Sequence, residues 1–237
     1  MEPYILPFTT LDNGKSAKVE YPFFIHSCSI SLLITSMISC IDRNDAQYGL
    51  LICPEKDLTS IEETIIKNEG VFDTLFLNSS NSIGYLQFLD KIEILPLQNT
   101  KSLSNVINEA ANQKGKNVIG ITNISSMLNT ESTLNAASFS STLADVIEKC
   151  SPLIINETEV LETPIPISNS MKHENVTLEN VYSLWIPVYL KVSIDAENPS
   201  ISRASFHSRE FSQTSEWKSN TFFQDLKINL HESYNDT

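Results

Sequence analysis

Apolar positions along this chain follow a repeating rhythm: a short apolar run, then a stretch in which apolar residues recur every three or four positions. Phe23-Phe24-Ile25, entered through Pro22, predicts a strand, and Ile30, Leu33, Ile34, Met37, Ile38 and Ile41 behind it form one stripe of a helix. Tyr48 to Cys53 is a second run closed by Pro54, and Leu58, Ile61, Ile65 and Ile66 carry a second helical stripe up to the stop signal Asn68-Glu69-Gly70. Ile92 to Leu97 alternates and predicts a third strand. The helix behind it starts at Ser102 or Ser104, carries Leu103, Val106, Ile107 and Ala110, and ends at Lys114-Gly115.

Asn117 to Ile124 predicts a fourth strand. Its nearly unbroken run Val118-Ile119-Gly120-Ile121 suits a strand covered by helices on both faces, so it is the candidate centre of the sheet. After a Ser- and Thr-rich loop, Phe139, Leu143, Val146 and Ile147 predict a helix ending at Cys150, and Pro152-Leu153-Ile154-Ile155 opens a fifth strand. Strands alternating with helices in this way imply a mostly parallel sheet joined by right-handed crossovers.

The texture changes after Val160, where Pro164, Pro166, Ser168, Asn169 and Ser170 predict a loop or lid through Asn175. Beyond it, Tyr182 to Ile194, Ile201 to Arg209 and Phe222 to Leu230 alternate at period two, with a turn at Glu197-Asn198-Pro199, and predict an antiparallel extension of the sheet edge. Residues 1–20, with Pro3, Pro7 and Asp12-Asn13-Gly14, read as an irregular lead-in. Residues 21–230 then form a single domain and 231–237 a tail.

Composition narrows the function. Apolar residues make up 41% of the 237 and charged residues 19%, which is incompatible with wholesale disorder. A net charge of -13 argues against binding nucleic acid unaided, because affinity for phosphate comes mainly from Lys and Arg. Cys28, Cys40, Cys53 and Cys150 lack CxxC spacing and lie in or beside apolar stretches, so they are expected to be reduced core residues. Phe23 to Ile41 is the most membrane-like stretch, yet it holds His26 and five serines, which suits a strand and buried helix better. A cytoplasmic or nuclear location is expected.

In doubly wound sheets ligands bind at the carboxyl ends of the strands, and the first strand-to-helix turn of nucleotide-binding versions cradles phosphate with glycine amides and a lysine. Here that turn is Ser27-Cys28-Ser29-Ile30-Ser31, with neither glycine nor lysine. Gly14-Lys15-Ser16 resembles the end of a phosphate loop, but Thr9 stands where its first glycine belongs, and the triplet precedes the first strand. At the end of the fourth strand, where a magnesium-binding Asp is expected, stands Asn123, an amide without charge for a metal. His26, His173, His207 and His231 lack zinc spacing, no GxSxG elbow occurs, and Glu62-Glu63 reads as a solvated helix face. Neither a cofactor nor a metal is expected.

Phe23-Phe24-Ile25-His26-Ser27, Ile92 to Leu97, and Asn117 to Leu128 with its Asn-Ile-Ser-Ser-Met-Leu run resemble the degenerate RecA-like ATPase-fold proteins, in which that run is the relic of the Walker B strand and its loop. In length and layout, from Tyr21 to Leu230, the chain is most similar to the Elongator complex protein 6 family. Tyr189-Leu190-Lys191-Val192 and Ser202 to Arg209 look like its paired late strands, although Pro199-Ser200-Ile201-Ser202 replaces that family's glycine-containing turn. The resemblance implies a RecA-like three-layer sandwich with a mostly parallel sheet and a C-terminal antiparallel extension. It also implies a non-catalytic subunit of a hetero-hexameric ring with sister RecA-like subunits, binding tRNA through the assembled ring and serving wobble-uridine modification, with no membrane and no metal. Arg203 and Arg209 carry over as candidates for contacts across the ring or to RNA, with Lys191 beside them. The competing reading makes the arginines exposed strand residues that keep an edge soluble. A Rad51-paralogue-like accessory factor, a proteasome-assembly chaperone and an ATP-using α/β enzyme are the functional alternatives.

Overall fold

The computed structural model describes residues 22–27, 30–42, 46–67, 88–112, 117–130, 134–169, 175–186, 188–194, 201–207 and 212–218. The order begins with β1 (Phe23–His26), α1 (Ser31–Asp42), β2 (Tyr48–Pro54), a 3-10 turn (Glu55–Asp57), α2 (Leu58–Lys67), β3 (Ile92–Leu97) and α3 (Thr100–Asn112). It continues with β4 (Asn117–Thr122), α4 (Ile124–Thr130), α5 (Ala136–Lys149) and β5 (Leu153–Glu157). The last part holds β6 (Pro164–Pro166), β7 (Asn175–Thr177), α6 (Leu178–Trp185), β8 (Tyr189–Ile194), β9 (Ile201–His207) and β10 (Ser212–Lys218).

The main sheet has 8 strands in the order β10-β9-β8-β1-β5-β4-β2-β3. From β8 to β3 every pairing is parallel, while β9 and β10 are antiparallel additions. Side-chain alternation in the strands splits the core into two layers. Ile25, Leu51, Val118 and Ile154 face α1 and α2, whereas Phe24, Ile52, Ile119, Ile121 and Ile155 face α3, α4, α5 and α6. With helices on both faces, β4 and β5 are apolar on both sides, as the unbroken run in β4 predicts.

Gly120 lets α1 lie close on β4. A Cβ there would run into the Met37 sulfur and come within 3.3 Å of Leu33 Cδ1, and one at Gly49 would come within 3.1 Å of Met37 Cε. Met37 therefore fills the space that two glycines leave open.

The structure corrects several expectations. Tyr182 to Ile194 is not one strand: Leu178, Val181 and Tyr182 recur at helical spacing, and Thr177 with Asn180 forms a capping box that starts α6. The strand that follows, β8, pairs parallel with β1, Phe24 opposite Tyr189, so the antiparallel extension begins one strand later than expected. The expected loop after Val160 contains the two-stranded β6-β7 sheet. β4 stops at Thr122, and Ile124 opens a helix rather than continuing the strand. Asn99 accepts the Ser102 amide at 2.9 Å, and α3 starts at Thr100, ahead of the expected serines. The lead-in, the tail, Phe222 to Leu230, His173 and His231 lie outside the described residues.

Cys40, Cys53 and Cys150 are buried free thiols, and burial pushes those of Cys53 and Cys150 up to about 11, leaving them unreactive at neutral pH. Cys28 lies outside the described residues. Among the described residues no helix is long and apolar enough to cross a membrane.

Candidate functional site

The carboxyl ends of β1, β2, β4 and β5 meet at one edge of the sheet. Only residues 27 to 30 separate β1 from α1, since β1 ends at His26 and the helix opens at Ser31. A phosphate loop spans eight residues with glycines at its tight points. Ser27 is buried and donates its amide to the Glu157 carbonyl at 3.2 Å, Ile30 points into the core beside α1, and the Ser31 carbonyl accepts from Thr35 Oγ1 at 2.8 Å. Cys28 and Ser29 lie outside the described residues. The turn is thus short and partly turned into the protein, which leaves little backbone to wrap a triphosphate.

Asn123 follows β4 with φ at 55°, in the left-handed region that Asn tolerates better than most side chains. That kink ends the strand and starts α4, where the Asn123 carbonyl accepts the Ser126 amide at 3.1 Å. The side chain joins three strand ends. Its Nδ2 donates to Asp57 Oδ2 at 2.6 Å, beyond β2, and its Oδ1 accepts from the amide and the hydroxyl of Thr158, both at 2.9 Å, beyond β5. An amide is what this geometry needs, because it must donate on one side and accept on the other. An aspartate would instead set two carboxylates against each other.

Beside Asn123 lies a cleft of about 170 Å3 lined by Ile30, Asp57, Ser60, Ile61, Thr64, Thr122, Asn123 and Thr158. Small-molecule sites span roughly 300–1,000 Å3, so this cleft is too small for a nucleotide, and Asp57 gives it the wrong charge for phosphate. A larger cavity of about 500 Å3, lined by Pro54, Glu55, Lys56, Leu97, Gln98, Asn99 and Met127, opens at the ends of β2 and β3 and shares no lining residue with the cleft.

On the opposite face, Glu157 at the end of β5 is 0% exposed. Its Oε2 accepts the Tyr182 hydroxyl at 2.8 Å and the Ser125 amide at 3.4 Å, and its Oε1 accepts the Glu159 amide at 3.4 Å. Burial pushes its carboxyl up to about 7, partly offset by the Tyr182 hydroxyl, so the group titrates near neutral pH. Tyr182 itself stacks on Phe24 at 4.0 Å and meets Phe139 edge-on at 5.0 Å. Sequence reading ended the fifth strand at Ile155 and missed Glu157. The available signal was period two, which puts position 157 on the same inward face as Leu153 and Ile155.

His26, the register partner of Glu157 on β1, accepts or donates through Nε2 to the Glu159 carbonyl at 3.1 Å, and burial holds it below the usual histidine range. Lys191 on β8 pairs with Glu162 at 3.0 Å and Glu179 at 3.7 Å, so its charge is met within the chain. Arg203 sits in β9 opposite Ser193 of β8 and Glu216 of β10, inside the sheet rather than on its edge. Arg209 lies outside the described residues. The structure does not bring Lys191 or Arg203 to the Asn123 cleft. Glu62 and Glu63 are exposed on α2, as expected. Among the described residues no group of His, Cys, Asp and Glu is placed to hold a metal ion.

The solved ATPase domain of a RecA-like helicase is similar to this fold, with a TM-score of 0.50 and 11% identity over 85% of this chain and 82% of that one. At that identity the likeness speaks for the fold alone: the chain has a RecA-like α/β fold. In sequence it is 28% identical over 222 residues, 92% of each chain, to Uncharacterized protein C22G7.03 of Schizosaccharomyces pombe (strain 972 / ATCC 24843). The SPAC22G7.03-like family model matches residues 20–231. With the whole of the described fold inside that match, the chain belongs to the SPAC22G7.03-like family.

Proposed function

We propose that this protein is a non-catalytic RecA-like subunit, one that works by assembling with sister RecA-like subunits and does not hydrolyse nucleotide at its own strand ends. One observation carries the reading. The position of the phosphate loop is a four-residue turn, 27 to 30, without glycine or lysine, and the position of the magnesium-binding carboxylate is an amide committed to Asp57 and Thr158. Titration calorimetry of the full chain with ATP and magnesium tests it: no heat of binding is expected, and micromolar binding would overturn it.

The finer reading is a place in a hetero-hexameric ring of the Elongator RecA-like kind, in the cytoplasm or nucleus, supporting wobble-uridine modification of tRNA. It rests on the sequence resemblance and on the RecA-like fold. A net charge of -13 is in keeping with RNA contacts that depend on the assembled ring rather than on this chain alone. Pull-down from cells followed by mass photometry of the co-expressed complex tests this. Recovery of sister RecA-like subunits of Elongator in a complex of ring mass is expected. Recovery of a recombinase instead would replace the Elongator role with that of a Rad51-paralogue-like accessory factor.

A further inference from the structure

We infer that Glu157 is a proton-controlled fastener that holds α6, and through it the start of β8, onto the end of the sheet: protonated it keeps α6 docked, and ionised it loosens that contact. The geometry comes first. Glu157 is fully buried, and the groups around it come from separate elements: the Tyr182 hydroxyl from α6 at 2.8 Å, the Ser125 amide from α4 at 3.4 Å, and the Glu159 amide from the following turn at 3.4 Å. No cation is among these partners. A carboxylate formed in such a place lacks a counter-charge, and a buried unpaired charge destabilises whatever encloses it.

The surroundings can serve two arrangements. Ser125 Oγ and His26 Nδ1 are buried and without a hydrogen-bond partner, and both residues lie against Glu157, one through its amide and the other as the neighbouring strand partner. Unpartnered buried polar atoms are uncommon. Here the Ser125 hydroxyl stands one rotamer change from a carboxylate that needs a donor. The titratable groups facing Glu157 are Tyr182 on α6 and His26 on β1, and burial disfavours the charged form of each, so neither supplies a charge near neutral pH. Lys191 on β8, with Glu162 and Glu179, forms a separate cluster that acts on His26. Burial raises the Glu157 carboxyl from 4.5 to about 7, which places the change within the physiological range.

Hydrogen exchange of the full chain, read by mass spectrometry between pH 5 and pH 8 and corrected for intrinsic exchange, tests the fastener. Opening of the segment 178–186 should increase by up to about a hundredfold from pH 5 to pH 7, tenfold per unit at the limit, while 136–149 in α5 stays constant. Glu157→Gln should flatten that response. Tyr182→Phe should move its midpoint to higher pH, because the hydroxyl it removes favours the ionised carboxyl. A flat wild-type profile, an unchanged response in Glu157→Gln, or a rise shared equally by 136–149 would overturn the inference. If Glu157→Gln does not fold, the wild-type profile and the Tyr182→Phe midpoint decide it.

Discussion

Two neighbouring strand ends handle a polar residue in opposite ways. After β4, Asn123 is a neutral amide whose donor and acceptor are both satisfied at 2.6 to 2.9 Å, beside a small polar cleft. At the end of β5, one strand away, Glu157 is a carboxyl closed off from water with one short hydrogen bond and two at 3.4 Å. The amide needs no counter-charge and can bind three strand ends together at any pH. The carboxyl is stable there mainly while protonated. Charge, more than hydrogen-bond number, therefore separates a passive joint from a titrating one.

The largest expected effect comes from emptying the Glu157 side of the comparison. Tyr182→Ala removes a ring packed between Phe24 and Phe139 together with the donor to Glu157, and should cost about 3–5 kcal/mol in urea unfolding. A loss under about 1 kcal/mol would mean that α6 does not anchor this edge.

Next is pH. The folded-state value of about 7 for Glu157 lies above the 4.5 of an exposed glutamate, so the folded state binds its proton more tightly. The associated stability is complete below about pH 4.5 and is lost as pH rises through 7, at most roughly 3 kcal/mol. Unfolding curves should show this decline in the wild type and a flatter profile in Glu157→Gln. A decline that survives the substitution would move the titration to another group.

Asn123→Asp turns the passive joint into a charged one. Two carboxylates would then face each other at the Asp57 contact, costing about 1–3 kcal/mol at pH 7 and less at pH 4, where they protonate. It should also fail to create ATP binding in calorimetry, because the four-residue turn remains. A neutral outcome at pH 7 would show that the Asn123 to Asp57 bond contributes little. The smallest effect is expected at the exposed edge. Lys191→Met breaks pairs with Glu162 and Glu179 that face solvent, and should change stability by under about 1 kcal/mol. A larger loss would extend the polar joint outward to β8.

Much of the fold is legible before any coordinates. Stripes such as Leu33, Met37 and Ile41, and runs such as Val118 to Ile121, report local periodicity, which one segment encodes by itself. The helix containing Tyr182 is where reading failed, because Val181 to Leu190 alternates well enough to pass for a strand while its capping box at Thr177 and Asn180 lies just upstream. Half of the candidate site was legible for a similar reason. A missing glycine and lysine at Ser27 to Ser31, and Asn123 in place of a carboxylate, are facts of residue type at known positions along an element.

By itself, then, the sequence determined the alternation of strands and helices, the double-sided burial of β4 and the emptiness of the phosphate-loop position. Only tertiary structure decided that β8 joins β1 in parallel, that Arg203 lies within the sheet, and that Asn123 is tied to Asp57 and Thr158. It alone revealed Glu157. Residues 125, 157 and 182 belong to three separate elements, and the burial that makes a glutamate titrate near neutrality exists only once those elements enclose it.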